Sequence, residues 1–194
     1  MKVAIVKYNA GNVESVKNAL VRLGIEPIIS DDAEVLKAAD KIIFPGVGEA
    51  SSAMRFLREK KLDAAIKNLT QPVLGICLGM QLLCESSAEN DTPCLGILPY
   101  RVRKFASETL KIPQMGWNNI FDLKSDLFAG IADNAYVYFV HSFYVETGAE
   151  TIATGDYGVK FSAAVSYKNF HAVQFHAEKS SAVGAKILEN FLNL

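Results

Sequence analysis

Three side chains set the chemistry this sequence could carry. They are Cys77 in "PVLGICLGMQL" (residues 72–82), and His176 and Glu178 in "AVQFHAEKS" (residues 172–180). A thiol becomes an effective nucleophile beside a base, and the base needs a third group to hold its tautomer. His176 with Glu178 two residues on meets both needs, because two residues of extended chain put the imidazole and the carboxylate on one side. Cys77 stands where the apolar run "PVLGI" gives way to "LGMQLLCE", a helical start, which is the strand-to-helix turn of a nucleophile elbow. Gly75 and Gly79 flank it at two residues on either side and let the backbone turn tightly beside a neighbouring strand. Helix N-terminal N–H groups would favour the thiolate, which is the reactive form.

Each of these residues has an ordinary reading when taken singly: a core cysteine, a histidine at a strand end, a solvated helix cap. A Cys/His/Glu set in this chain order is a demanding coincidence, and it favours nucleophilic catalysis. The same side chains could ligate a metal, but no fourth ligand stands at familiar spacing. The chemistry calls for no cofactor. The other two cysteines, Cys84 and Cys94, lack paired C-x-x-C spacing. Cys84 is expected two turns further along the same helix as a small buried hydrophobe, and His171 on the opposite sheet face in a structural role. A third element is "FPGVGEA" (residues 44–50), where Pro45, Gly46 and Gly48 follow a strand and can turn N–H groups toward a developing oxyanion. Read instead as a dinucleotide fingerprint it fails, since Ser51 replaces the third glycine and the strand is the third rather than the first.

The elements that must position these groups alternate along the first half of the chain. "VAIVKY" is a buried-strand pattern, and after it Val16, Ala19, Leu20 and Leu23 recur at helical spacing until Gly24. "EPIIS", "KIIFPG" and "PVLGI" repeat the strand pattern, each followed by a helical stretch. This alternation predicts a three-layer α/β/α arrangement with a mostly parallel sheet. Beyond Gly96, "ILPYRVRKF", "NNIFDL", "AYVYFVHSFYVE", "TIATGDY", "SAAVSY" and "FHAVQFH" read as strands, expected as antiparallel additions to the same sheet, before a last helix over residues 182–192. No linker or repeat divides the chain, so residues 1–194 are expected to form one domain.

Composition narrows the function classes. The 194 residues are 50% hydrophobic and 21% charged with a formal net charge of -1, so nothing in the charge calls for nucleic acid or an anionic membrane as partner. "MKVAIVKY" is too short an apolar run for a signal peptide, and no stretch reaches the roughly 20 apolar residues of a spanning helix. The expectation is a soluble cytoplasmic protein.

With these motifs in view the whole chain resembles the class I, or triad, glutamine amidotransferases. "GICLGMQLL" and "QFHxEKS" mark that family. "FPGVG", "IPQMGWN" (residues 112–118) and "YFVHSFY" (residues 138–144) resemble the glutaminase subunits of imidazole glycerol phosphate synthases. The resemblance implies a flavodoxin-like fold in which Cys77 attacks the glutamine carboxamide, His176 shuttles the proton and Glu178 orients His176. It implies that the N–H groups of Leu78 and of the Val47/Gly48 turn hold the oxyanion. It also implies that Gly46, Gln81, Glu89, Ser142 and Phe143 surround the substrate, with Glu89 accepting its ammonium. Asn12, Met115, Trp117 and Lys179 then fall at the interface with a (β/α)8 cyclase subunit in a heterodimer.

Two departures from the family pattern stand out. The usual D-Y-G-x-G-N appears as Lys7–Asn12, "KYNAGN", and the usual proline between histidine and glutamate is Ala177. The rival readings are a glutaminase for another synthase, such as that of pyridoxal phosphate, and a cysteine hydrolase of the same fold. The first would lack "PQMGWN" and "VHSF"; the second would place histidine where Leu78 stands.

Overall fold

A computed structural model describes residues 1–9 and 11–194; Ala10, within the Lys7–Asn12 loop, lies outside them. The first half alternates as the apolar runs predict: β1 (Val3–Val6), α1 (Val13–Arg22), β2 (Ile28–Ser30), α2 (Ala33–Lys37), β3 (Lys41–Gly46), α3 (Ala50–Glu59), α4 (Leu62–Lys67), β4 (Val73–Cys77) and α5 (Leu78–Leu83). Then follow β5 (Cys84–Ser87), β6 (Thr92–Pro93), β7 (Leu98–Lys104), β8 (Gln114–Ile120), β9 (Ala135–His141), β10 (Phe143–Val145), β11 (Thr151–Asp156), β12 (Lys160–Tyr167), β13 (Phe170–Val173) and α6 (Ser181–Asn193).

Seven strands form the main sheet in the order β11-β12-β13-β4-β3-β1-β2. The five from β13 to β2 are parallel, and β12 and β11 add antiparallel at one edge. The apolar runs are continuous because both faces of these strands are covered. Ala4, Val6, Ile42 and Phe44 pack with Leu36, Met54, Leu57 and Ile66 from α2, α3 and α4. Val3, Ile5, Ile43 and Leu74 pack on the opposite face with Val16 and Leu20 of α1 and Ile187, Leu188 and Phe191 of α6. Helix α1 carries its buried Val16, Ala19 and Leu20 three and four residues apart, which gives one apolar stripe. Among the described residues no helix is long and apolar enough to cross a membrane.

The second half departs from expectation. Only β11, β12 and β13 join the main sheet. Strands β10-β7-β5-β6 form a second sheet, and β8 and β9 pair as a separate antiparallel ribbon. "IPQMGWN" therefore lies largely in a strand, with Trp117 opposite Tyr138. Helix α5 also stops earlier than its sequence suggests, so Cys84 begins β5 instead of lying two turns along a helix. The cause is a competing set of donors: the N–H groups of Leu95, Gly96 and Ile97 take the carbonyls of Leu82, Cys84 and Leu83 at 2.9, 2.7 and 2.9 Å. A tertiary segment thus satisfies carbonyls that a longer helix would have used.

Candidate active site

Strand β4 delivers Cys77 to its carboxyl end, where the backbone turns at φ 54° and ψ −111°. A positive φ at a residue with a Cβ is strained by about 1–3 kcal/mol, and such strain persists only where the surroundings enforce it. Here two close backbone approaches do so. A Cβ at Gly79 would fall on the Phe44 carbonyl, and one at Gly46 would stand 2.7 Å from both the Gly79 nitrogen and the Leu78 Cβ. Glycine at these positions lets β3 and α5 touch beside Cys77.

The imidazole arrives from the adjacent strand, since β13 pairs in parallel with β4 on the side away from β3. After β13 the chain stays extended at His176, with φ −86° and ψ 94°, and then enters a short 3₁₀ turn over Ala177–Lys179. Glu178 meets the imidazole through this turn, not along extended chain as the spacing suggested. Its Oε1 lies 2.7 Å from His176 Nδ1, and both side chains are only 1% exposed. Ala177 stands where the family pattern has proline, and the turn forms with it buried at 2% exposure.

With Nδ1 held by Glu178, Nε2 is the remaining ring nitrogen, and it has no hydrogen-bond partner among the described residues. Burial alone would lower the pKa of His176. The neighbouring Cys77 and Glu178 outweigh burial and raise it from 6.5 to about 10. The Cys77 thiol is turned to the Val140 carbonyl at 3.8 Å, so its approach to Nε2 stops short of a complete hydrogen bond. Such contacts commonly tighten when substrate binds.

Cys77 and His176 open onto one cavity of about 280 Å³, which Val47, Gly48, Leu78, Gln81, Glu89, Ser142 and Phe143 also line. The oxyanion candidates therefore adjoin the thiol, with Gly48 at φ 101°, a conformation that favours glycine. Gln81 is buried and donates from Nε2 to the Phe143 carbonyl at 3.0 Å and to Gln174 Oε1 at 2.9 Å. Glu89 accepts the Ala50 N–H on Oε2 at 2.7 Å, and so caps α3 while facing the cavity. Gly46 is not part of the lining; its backbone pairs with Cys77 and its missing side chain makes room for Tyr8, Leu78 and Gly79.

The four residues expected at an interface lie outside the cavity. Met115 and Trp117 are 66% and 52% exposed on β8, Lys179 is exposed beside Glu178, and Asn12 is half-buried at the start of α1. Trp117 packs edge-on against Tyr138 with ring centroids 6.1 Å apart, and Tyr138 accepts the His176 N–H at 2.9 Å. The exposed ribbon is thus one residue removed from the base.

Several site residues lie inside the quoted motifs but were given no role from sequence. Tyr8 donates its hydroxyl to the Pro45 carbonyl at 2.6 Å and so fixes the peptide that leads into the Val47/Gly48 turn. Burial, aided by the charge of Cys77, pushes its phenol well above the usual value and keeps it a donor. Gln174 bridges Gln81 and Cys77, with Nε2 at 3.7 Å from the sulfur. His141 lines the cavity, its Nδ1 2.7 Å from the Phe143 carbonyl. Burial, with the charge of His176 adding to it, lowers its pKa to about 4, so it is neutral near pH 7. His171 lies elsewhere, with Nδ1 3.0 Å from Ser166 Oγ. Among the described residues no group of three or more His, Cys, Asp and Glu side chains could hold a metal ion.

A strained thiol, a carboxylate-held imidazole and a shared cavity are the equipment of an acyl-transfer site, and the family model for class-I glutamine amidotransferases matches residues 4–194: the chain belongs to that family. Among its relatives the chain is similar to the imidazole glycerol phosphate synthase subunit HisH of Bacteroides fragilis (strain YCH46), 56% identical over 196 residues and covering 100% of both chains. The HisH protein of Escherichia coli (strain K12) is 48% identical, again over 100% of both. Solved structures share the fold at lower identity. A glutamine amidotransferase aligns with a TM-score of 0.75 at 20% identity, covering 98% of this chain and 97% of that one. PurLQS of Thermotoga maritima aligns at 0.73 and 19%, covering 99% and 97%.

Proposed function

We propose that this chain hydrolyses glutamine to glutamate and ammonia through a cysteinyl thioester. It delivers the ammonia to a (β/α)8 cyclase partner that makes imidazole glycerol phosphate and aminoimidazole carboxamide ribotide in histidine biosynthesis. One observation carries the chemistry: Cys77 and His176 share a cavity, with Glu178 2.7 Å behind the imidazole. The names of the whole-length relatives support the choice of synthase and count against the rival glutaminase and hydrolase readings.

In this mechanism the proton of Cys77 Sγ already rests on His176 Nε2, as an imidazole pKa of about 10 favours at neutral pH, and the thiolate attacks the carboxamide carbon. The tetrahedral oxyanion forms against the N–H groups of Leu78 and of the Val47/Gly48 turn, where one donor is typically worth about 10²- to 10³-fold in rate. His176 then gives its proton to the departing nitrogen, ammonia leaves, and the carbonyl reforms as the thioester. A water, deprotonated by the same nitrogen, hydrolyses that thioester to glutamate and restores Cys77. Gln81, Ser142 and Phe143 border the amino-acid end of the substrate. Glu89, with Oε2 engaged by Ala50, offers Oε1 to the substrate ammonium.

The test is covalent labelling by 6-diazo-5-oxo-norleucine, a glutamine-shaped electrophile, read by intact mass and peptide mapping. One adduct per chain at Cys77 is expected, because burial pushes the Cys84 thiol well up and the Cys94 thiol up to about 12, which keeps both protonated. Labelling at Cys84 or Cys94, or full glutaminase activity in Cys77→Ala, would contradict the assignment.

A further inference from the structure

Ser180 occupies the N-cap of α6, where a serine hydroxyl ordinarily accepts an N–H of the first helical turn, yet its side chain makes no such bond. The hydroxyl is engaged elsewhere. It donates to the His176 carbonyl at 2.6 Å and accepts the Tyr138 N–H at 2.9 Å, while the His176 N–H donates to the Tyr138 carbonyl at 2.9 Å. Both backbone groups of His176 therefore end on one residue of β9, one directly and one through Ser180.

We infer that Ser180 is a positioning residue: its hydroxyl fastens the His176 backbone to β9 and so sets where the imidazole stands relative to Cys77. The inference rests on the proposed role of His176 as proton carrier. Strand β9 is a common reference for both reacting groups, because its Val140 carbonyl also receives the Cys77 thiol at 3.8 Å. A shift of the His176 turn against β9 is therefore a shift of base against nucleophile. Helix α6 holds Ser180 in place through Gly184, where a Cβ would fall on the Ala177 carbonyl and 2.8 Å from Ser180 Cβ. Ser180 is itself fully buried, so water does not readily replace a lost hydroxyl. Of the two groups it serves, the His176 carbonyl keeps a second donor in the Lys179 N–H at 3.0 Å. The loss falls on the Tyr138 N–H, which is the junction between turn and strand. The hydroxyl thus forgoes a helix cap for a bond that locates the base.

The experiment measures kcat and KM for glutamine, with thermal midpoints, in wild type, Ser180→Ala and Ser180→Gly, each assembled with the cyclase. Glycine is tolerated at N-caps, so the second variant carries the test if the first does not fold. Misplacement of a catalytic group by an ångström can cost about 10²-fold, so kcat is expected to fall about 10- to 100-fold with KM changed less than about threefold. Labelling of Cys77 by the diazo compound should slow in parallel. Wild-type kcat in a folded variant, or a raised KM with kcat unchanged, would overturn the inference whatever the thermal midpoint. So would failure of both variants to fold, since the role would then be structural. A wild-type protein without glutaminase activity would refute the proposed function itself, whereas an active wild type with equally active variants refutes only the role of Ser180.

Discussion

His176 can serve Cys77 because Glu178 occupies its Nδ1 and leaves Nε2 for the thiol. The two partners of the imidazole should therefore differ in what their loss costs. Replacing His176 by Asn removes the proton carrier and should lower kcat by about 10²- to 10⁴-fold, while Glu178→Gln, which keeps a hydrogen-bonding group, should cost less. Turnover at saturating glutamine separates them, and equal losses would mean that the carboxylate does more than orient. The same imidazole sets a pH dependence, its pKa raised against burial by Cys77 and then by Glu178. Because folding raises the His176 pKa from 6.5 to about 10, protonation stabilises the folded state. That contribution is fully present below about pH 6.5 and is lost as the pH rises through about 10. Thermal midpoints of wild type should accordingly exceed those of Glu178→Gln at pH 6 and converge with them near pH 10. The three residues of the proposed triad were legible because motif and spacing announce them. Tyr8 and Gln174 stand inside quoted motifs, yet their roles were not legible, because each acts on a residue 37 or 93 positions away.

At the scale of elements, the site depends on how closely β3, β4 and α5 approach one another. Gly79→Ala puts a methyl group against the Phe44 carbonyl, a backbone atom that cannot swing aside, and should destabilise by about 1–3 kcal/mol as an overpacked core does. Calorimetry of that variant against wild type checks the claim, and an unchanged thermal midpoint would count against it. Strands β1, β3 and β4 and helix α1 were readable because burial on both sheet faces writes continuous apolar runs and burial on one helix face writes a stripe. The end of α5 was not readable. It is decided by Leu95–Ile97 taking its last carbonyls, and nothing in "LLCESS" records that competition. The second sheet was hidden for a similar reason, since alternating strands look alike whichever sheet they join. The turn that brings Glu178 to His176 was read with the right outcome and the wrong geometry.

On the scale of the whole molecule, the cavity and the exposed ribbon are neighbours. Met115 and Trp117 present large apolar surface to solvent on β8, and Trp117 rests on Tyr138, whose carbonyl holds the His176 N–H. A partner seated there would lie beside the site where ammonia forms. Position matters, because ammonia escaping into water at neutral pH becomes mostly ammonium and loses its nucleophilic lone pair. The central claim is therefore one of delivery: the nitrogen freed at Cys77 reaches the partner without mixing with the solvent pool. The most direct measurement reconstitutes the chain with the cyclase and its ribotide substrate, supplies glutamine labelled with ¹⁵N in the amide, and adds an excess of unlabelled ammonium salt. Mass analysis of the imidazole product should show the label essentially undiluted with wild type and absent with Cys77→Ala. Label diluted to the composition of the bulk ammonium pool with wild type would contradict the account.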